Sequence, residues 1–152
     1  PGPHNPGNMG YLGELLDQRL VLDLQNAAHF LYELSDPPLM VDDSTIANLY
    51  QISDALFFPS TQEGFGIPLL EAALAGLPVF CSDIPPFRQT GGNQVSYFDP
   101  LTNTPEAIDV IASGVLETII ASPTCQFRRR VRQQFRWNRI IQAQLVPLLE
   151  GI

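Results

Sequence analysis

An α/β fold built on a parallel sheet is what this sequence predicts, and three observations carry it. Short apolar runs alternate with longer segments of helical periodicity, the pattern of successive βαβ units. Each run ends in a polar or Gly/Pro turn. One of those turns, after Phe58, carries Gly64-Phe65-Gly66 and leads directly into a helix at Pro68.

The elements follow in chain order. Residues 9–20 have helical periodicity, and residues 28–32 (AHFLY) read as a first strand. Residues 44–52 form a helix with Asp42 and Asp43 at its start, where carboxylates favour the helix dipole. Residues 55–58 (ALFF) are the second strand. Residues 68–75 are a helix that opens with Pro, which suits a first helical position, and closes at Gly76. Residues 78–81 (PVFC) are the third strand, residues 85–92 a turn or short helix, and residues 95–98 (VSYF) the fourth strand. Helices at 105–121, 123–135 and 137–149 complete the chain, the last with Pro147 near its end. With no repeat and no linker, a single domain over 1–152 is expected, α/β in 1–121 and a helical tail in 122–152.

Composition agrees with a packed fold. The chain has 152 residues, 45% hydrophobic and 16% charged, with a formal net charge of −8. That excludes disorder, a coiled coil and a disulfide scaffold, and a chain this long can bury roughly 70% of its unfolded surface. Cys81 and Cys125 lie far apart, with no His or Cys at ligand spacing, and read as reduced thiols of a cytoplasmic protein. No run of 18 apolar residues occurs, and the opening PGPHNPGN is neither a signal peptide nor a natural start, so the chain reads as cut at its front. His29, in an apolar run, is expected in the core, His4 in solvent, and neither at a metal.

Charge is unevenly placed. Residues 1–127 hold 2 Arg against 15 acidic residues, residues 128–152 hold 6 against 1, and there is no lysine. The basic helix predicts a buried stripe of Phe127, Val131 and Phe135, with the arginines on the other face. A solvated face attracted to the acidic body is the preferred reading. The alternative is an anionic membrane surface met by Arg128, Arg129, Arg130, Arg132 and Arg136, which places the protein at the inner membrane face. Nucleic acid is not expected as a partner of so acidic a chain.

The chemistry concentrates in FFPSTQEGFGIPLLEAALAGLPVF, residues 57–80. Ligands of open α/β sheets bind at the carboxyl ends of strands, glycines let them approach the backbone, and free N–H groups of the next helix suit a phosphate. Glu63 and Glu71, eight residues apart on loop and first helical turn, could face one pocket and accept hydrogen bonds from a sugar or ribose. From spacing alone, carboxylates that merely favour the helix dipole, beside a tight glycine turn, explain the residues equally well.

The wider pattern goes further. Pro59, Ser60, Glu63, Gly64, Phe65, Gly66, Ile67, Pro68, Glu71, Ala72, Gly76, Pro78 and Val79 resemble the E-x7-E signature of retaining GT-B glycosyltransferases of the large family 4 group. LYQISDALFFPS upstream, with DIPPFRQTGGNQVSYFDP and FRWNRI downstream, resembles the flanking helix, strands and Trp-bearing final helix of that family. The resemblance implies a Rossmann-like, doubly wound parallel sheet, the C-terminal half of a GT-B enzyme. It implies a hexose moved with retention from a nucleotide-diphosphate donor, without a metal or other cofactor. By the same resemblance Glu63 binds hydroxyls of the transferred sugar and is the catalytic residue. The backbone of Phe65 to Ile67, beside Gly64 and Pro68, meets sugar and phosphate; Leu69 and Leu70 line the pocket; Glu71 holds the ribose.

Two departures stand out. Gln89 replaces a frequent Glu of the family. The first two strands, with the cations that clamp the diphosphate, and the acceptor-binding domain are expected to be missing. Either a gap beside residues 55–58 or a missing segment supplied by another chain should result, with the isolated chain inactive and Trp137 a core anchor lacking its proper partner surface. A non-catalytic nucleotide-sugar-binding module and a GT-B-like phosphorylase or epimerase are the alternatives.

Overall fold

A computed structural model describes residues 9–34 and 41–150. Residues 1–8, with His4, and the side chain of Trp137 lie outside the described residues. The chain forms two compact units, Pro1–Ile46 and Ala47–Ile152.

In the first unit, α1 (Met9–Val21) ends in a left-handed turn at Asp23, φ 52°. Leu24 N–H donates to Arg19 O and Asp23 N–H to Leu20 O, the paired bonds that close a helix around a left-handed residue. The strand expected at 28–32 is not formed. Leu31–Glu33 is a single 3-10 turn, and His29 is exposed, so it is not the core histidine expected. The reason lies in Arg19. Its guanidinium donates to Ala28 O at 3.3 Å and to both Glu33 carboxylate oxygens at 2.6 and 2.9 Å, and it stands 4.9 Å from the Phe30 ring centroid. An apolar run makes a strand only beside another strand, and among the described residues none flanks this one. Asp42 caps α2 (Asp43–Ile52) as expected, its Oδ1 accepting from Thr45 N–H at 2.8 Å.

The second unit contains the sheet. Strands β1 (Leu56–Phe58), β2 (Val79–Ser82) and β3 (Ser96–Phe98) run parallel in the order β1-β2-β3. Phe57 pairs with Phe80, and Phe80 with Ser96, so the carboxyl ends of all three strands share one side. Among the described residues β1 is an edge strand, its outer side unpaired, and with no strand at 28–32 there is none on its far side to bound the expected gap.

Helices lie on both faces. On one, α3 (Ile67–Leu74) and α4 (Pro85–Gly91) enclose a core of Leu69, Ala72, Leu77, Val79, Cys81 and Phe87. Alternation turns Phe80 to the other face, where a cleft of about 340 Å³ separates it from Val110 and Ile111 of α5 (Pro105–Ala121). α3 closes as expected at Gly76, φ 70°, with Gly76 N–H on Ala73 O and Leu77 N–H on Ala72 O. Both cysteines are buried and unpaired; burial pushes the Cys81 thiol up to about 11.

The tail departs from expectation twice. On α6 (Pro123–Gln134) the stripe of Phe127, Val131 and Phe135 is exposed, at 65%, 40% and 55%, where burial was expected. The helix turns inward the face bearing Cys125, Arg128 and Arg132, spaced three and seven residues apart. Arg128 Nη1 donates to Ser53 O at 2.9 Å, and Arg132 donates to Ile52 O and to Asp54 Oδ2. Two arginines thus satisfy the carbonyl end of α2, where positive charge is favoured. The alternative reading of the cluster, an anionic membrane surface, loses two of its five cations to these partners. The helix expected at 137–149 is interrupted: α7 (Trp137–Ile140) and α8 (Val146–Glu150) flank a π turn at Ile141–Leu145. Pro147 has no N–H for the carbonyl of Ala143, which lies inside that turn.

Candidate functional site

The chain leaves β1 at Phe58 and enters α3 at Ile67, so residues 59–66 form a loop at the carboxyl end of β1. Two contacts from α4 fix its far end. Gly66 has φ 85° and ψ 44°, and a Cβ on it would lie 2.9 Å from Phe87 Cδ1. Phe87 is fully buried and has no room to withdraw. One residue earlier, Thr90 Oγ1 donates to Phe65 O at 2.6 Å.

These constraints leave a row of donors open. The N–H groups of Gly64, Phe65, Gly66 and Ile67 meet no protein acceptor among the described residues, and α3 has no side-chain cap. Pro68 has no N–H, and Leu69 N–H turns back to Gly66 O. A Cβ on Gly64 would meet nothing within 4 Å, so packing within the protein does not explain a glycine there. Open amides at the start of a helix bind anions through hydrogen bonds and the helix dipole together.

Glu63, just before this row, is half-buried and makes no side-chain hydrogen bond among the described residues. Glu71 is the fifth residue of α3, one residue deeper than expected because the helix starts at Ile67. Tyr50, on the last turn of α2, donates through its hydroxyl to Glu71 Oε2 at 3.1 Å and lies 3.4 Å from Pro68 O. Burial, and then Glu71, push the Tyr50 phenol up to about 12. Leu69 is buried in the core, whereas Leu70 is 41% exposed. Ser82, the last residue of β2, is fully buried with its Oγ unpartnered. Arg88 is committed to Asp83 by two 2.6 Å bonds, which hold the Asp83 carboxyl below its ordinary range. Among the described residues no three His, Cys, Asp or Glu side chains gather as metal ligands.

The site therefore gathers the glycine loop, Glu63 and Glu71 at one strand-to-helix junction, and adds Tyr50, Phe87 and Thr90. Periodicity does not reveal those three. Tyr50 and Thr90 lie 21 and 25 residues from the atoms they hold. For Tyr50 the available signal is its place in LYQISDALFFPS, upstream of the signature.

Comparison with known proteins decides the family. The model for glycosyl transferases group 1 matches residues 17–126, more than half of the chain. The chain belongs to that family. The chain is also similar to the O-antigen chain mannosyltransferase RfbU of Salmonella typhimurium, 36% identical over 94 residues. That match covers 62% of this chain and 25% of RfbU. The serotype-specific mannosyltransferase WbdA of Escherichia coli is 47% identical over 58 residues, 38% of this chain and 7% of WbdA. The D-inositol 3-phosphate glycosyltransferase of Saccharomonospora viridis is 27% identical over 132 residues, 86% of this chain and 29% of that protein. The chain thus spans less than a third of each of these three relatives. No solved structure matches it.

Proposed function

We propose that this chain is the donor-binding part of a glycosyltransferase that moves a hexose, with retention, from a nucleotide-diphosphate sugar to an acceptor. The observation that carries the reading is the row of open N–H groups from Gly64 to Ile67, set between Glu63 and Glu71 at the carboxyl end of β1. In this reading the amides and the α3 dipole take the distal phosphate, Glu63 accepts from hydroxyls of the sugar, and Glu71 from those of the ribose. Negative charge develops on that phosphate as the bond from the anomeric carbon to the diphosphate oxygen breaks. Donors fixed beforehand stabilise it, and we propose that no divalent ion is required. The new bond to the acceptor oxygen forms on the face the diphosphate leaves, the acceptor hydroxyl passing its proton to the departing diphosphate oxygen, and no protein nucleophile is assigned. The acceptor is held by the remainder of the enzyme. Two buried, unpaired thiols favour a cytoplasmic setting.

The test is thermal unfolding of the intact protein with UDP-, GDP- and ADP-sugars, beginning with mannose because RfbU and WbdA are named mannosyltransferases. At a hundredfold excess over Kd, the true donor should add about 2.7 kcal/mol and raise Tm by about 3 °C in a protein several times the length of this chain. Glu63→Ala should then cut turnover by at least about tenfold. Stabilisation without turnover in the wild type would make the chain part of a non-catalytic binding module. Turnover unchanged by Glu63→Ala would remove the role given to that carboxylate.

A further inference from the structure

We infer that Tyr50 is a positioning residue of the donor site, holding one oxygen of Glu71 so that the other is presented to the vicinal hydroxyls of the donor's ribose. The inference rests on the donor-binding reading above. Glu71 is exposed, and its side chain turns about three bonds, so an unrestrained carboxylate must lose that freedom each time it grips a ligand. Tyr50 removes the freedom beforehand. Its ring packs against the hydrophobic core beneath α3, which fixes where the hydroxyl stands. From there the hydroxyl donates to Glu71 Oε2 at 3.1 Å and approaches Pro68 O at 3.4 Å. One group therefore references both the carboxylate and the first turn of α3, where the open amides begin.

The bond leaves the carboxylate competent. An ionised carboxylate has about four acceptor positions on its two oxygens, and Tyr50 occupies one of them. Glu71 Oε1 has no protein donor among the described residues. The phenol, with its pKa pushed up to about 12, keeps its proton and stays a donor at neutral pH.

The experiment uses calorimetric titration of the intact protein with UDP, GDP and ADP, followed by the 2′,3′-dideoxy form of whichever nucleotide binds. Tyr50→Phe keeps the ring and its packing, and matching melting curves confirm that the fold is retained. The variant should weaken the ribonucleotide about three- to tenfold, the cost of immobilising one flexible side chain on binding, and leave the dideoxy form within about twofold. Glu71→Ala should weaken the ribonucleotide likewise, and adding Tyr50→Phe to it should cost nothing more. Equal loss for both forms would make Tyr50 a structural tie between α2 and α3 and overturn the inference. So would a ribonucleotide affinity that falls with Glu71→Ala but not with Tyr50→Phe, although the donor site itself would then stand. If the wild type binds none of the three nucleotides, the donor-binding reading fails and the inference falls with it.

Discussion

Three glycines of the second unit meet the backbone in three different circumstances, and substituting each by alanine separates conformational strain from steric exclusion. Gly64 has no Cβ neighbour within 4 Å and no left-handed φ; Gly76 has φ 70° and open space; Gly66 has φ 85° and the fully buried Phe87 at 2.9 Å. Gly64→Ala should leave stability within about 0.5 kcal/mol. Gly76→Ala should cost about 1–2 kcal/mol for the left-handed backbone alone. Gly66→Ala incurs that same cost and adds about 1–3 kcal/mol for forcing a methyl group against a core ring that cannot retreat. The total of about 2–5 kcal/mol lowers Tm by roughly 5–15 °C in a chain of this size. Urea unfolding followed by circular dichroism reads the series directly, as a shift in midpoint at unchanged slope. If Gly66→Ala proves no worse than Gly76→Ala, Phe87 does not wall the loop and the account of a braced donor row is wrong. Ligand binding should rank the glycines differently. Gly64→Ala, harmless to folding, should weaken nucleotide-sugar binding because its methyl group enters the space beside the open amides.

Two further outcomes follow from side chains outside the loop. Arg128→Ala should destabilise by about 1 kcal/mol in the same urea assay by releasing Ser53 O, while Arg129→Ala, with no such bond among the described residues, should stay within about 0.5 kcal/mol. Asp83 is held low by Arg88, Asp42 by its hydrogen bonds to Thr45 and Ser44, and Glu33 by Arg19. Their folded pKa values lie below the unfolded ones, so their contribution is complete above the ordinary carboxylate range and fades as pH falls through the lowered values. Asp83→Asn should flatten that acid-side decline in melting temperature, and an unchanged slope would show that the Arg88 pair contributes nothing to folding.

How much could be read from the sequence depended on how local each determinant is. The three strands and α3 to α6 lie within a residue or two of their expected bounds, because Pro, Gly and capping Ser or Thr residues mark those ends chemically. The run AHFLY failed as a strand because strand formation depends on a neighbour, and a side chain nine residues upstream of Ala28 claims its carbonyl. The stripe on α6 showed the correct period, yet period does not say which face turns inward. Arg128 and Arg132 decided that by reaching the end of a helix some 75 residues earlier. The placing of the glycine loop and both glutamates at one strand-to-helix junction was legible because they are contiguous and patterned. Tyr50, Phe87 and Thr90 were not, since their role exists only once distant segments are folded together.

The bracing of Phe65 and Gly66 also sets how a ligand would be received. Fixing the backbone of a residue costs about 1–2 kcal/mol, and for these residues the cost is met when α4 packs on the loop during folding. A phosphate reaching the row of amides would find them already aligned, so its encounter is governed by diffusion and desolvation and not by a wait for the loop to order. Such a site is a rigid receptor. Gating, where the full enzyme requires it, then falls to its other parts.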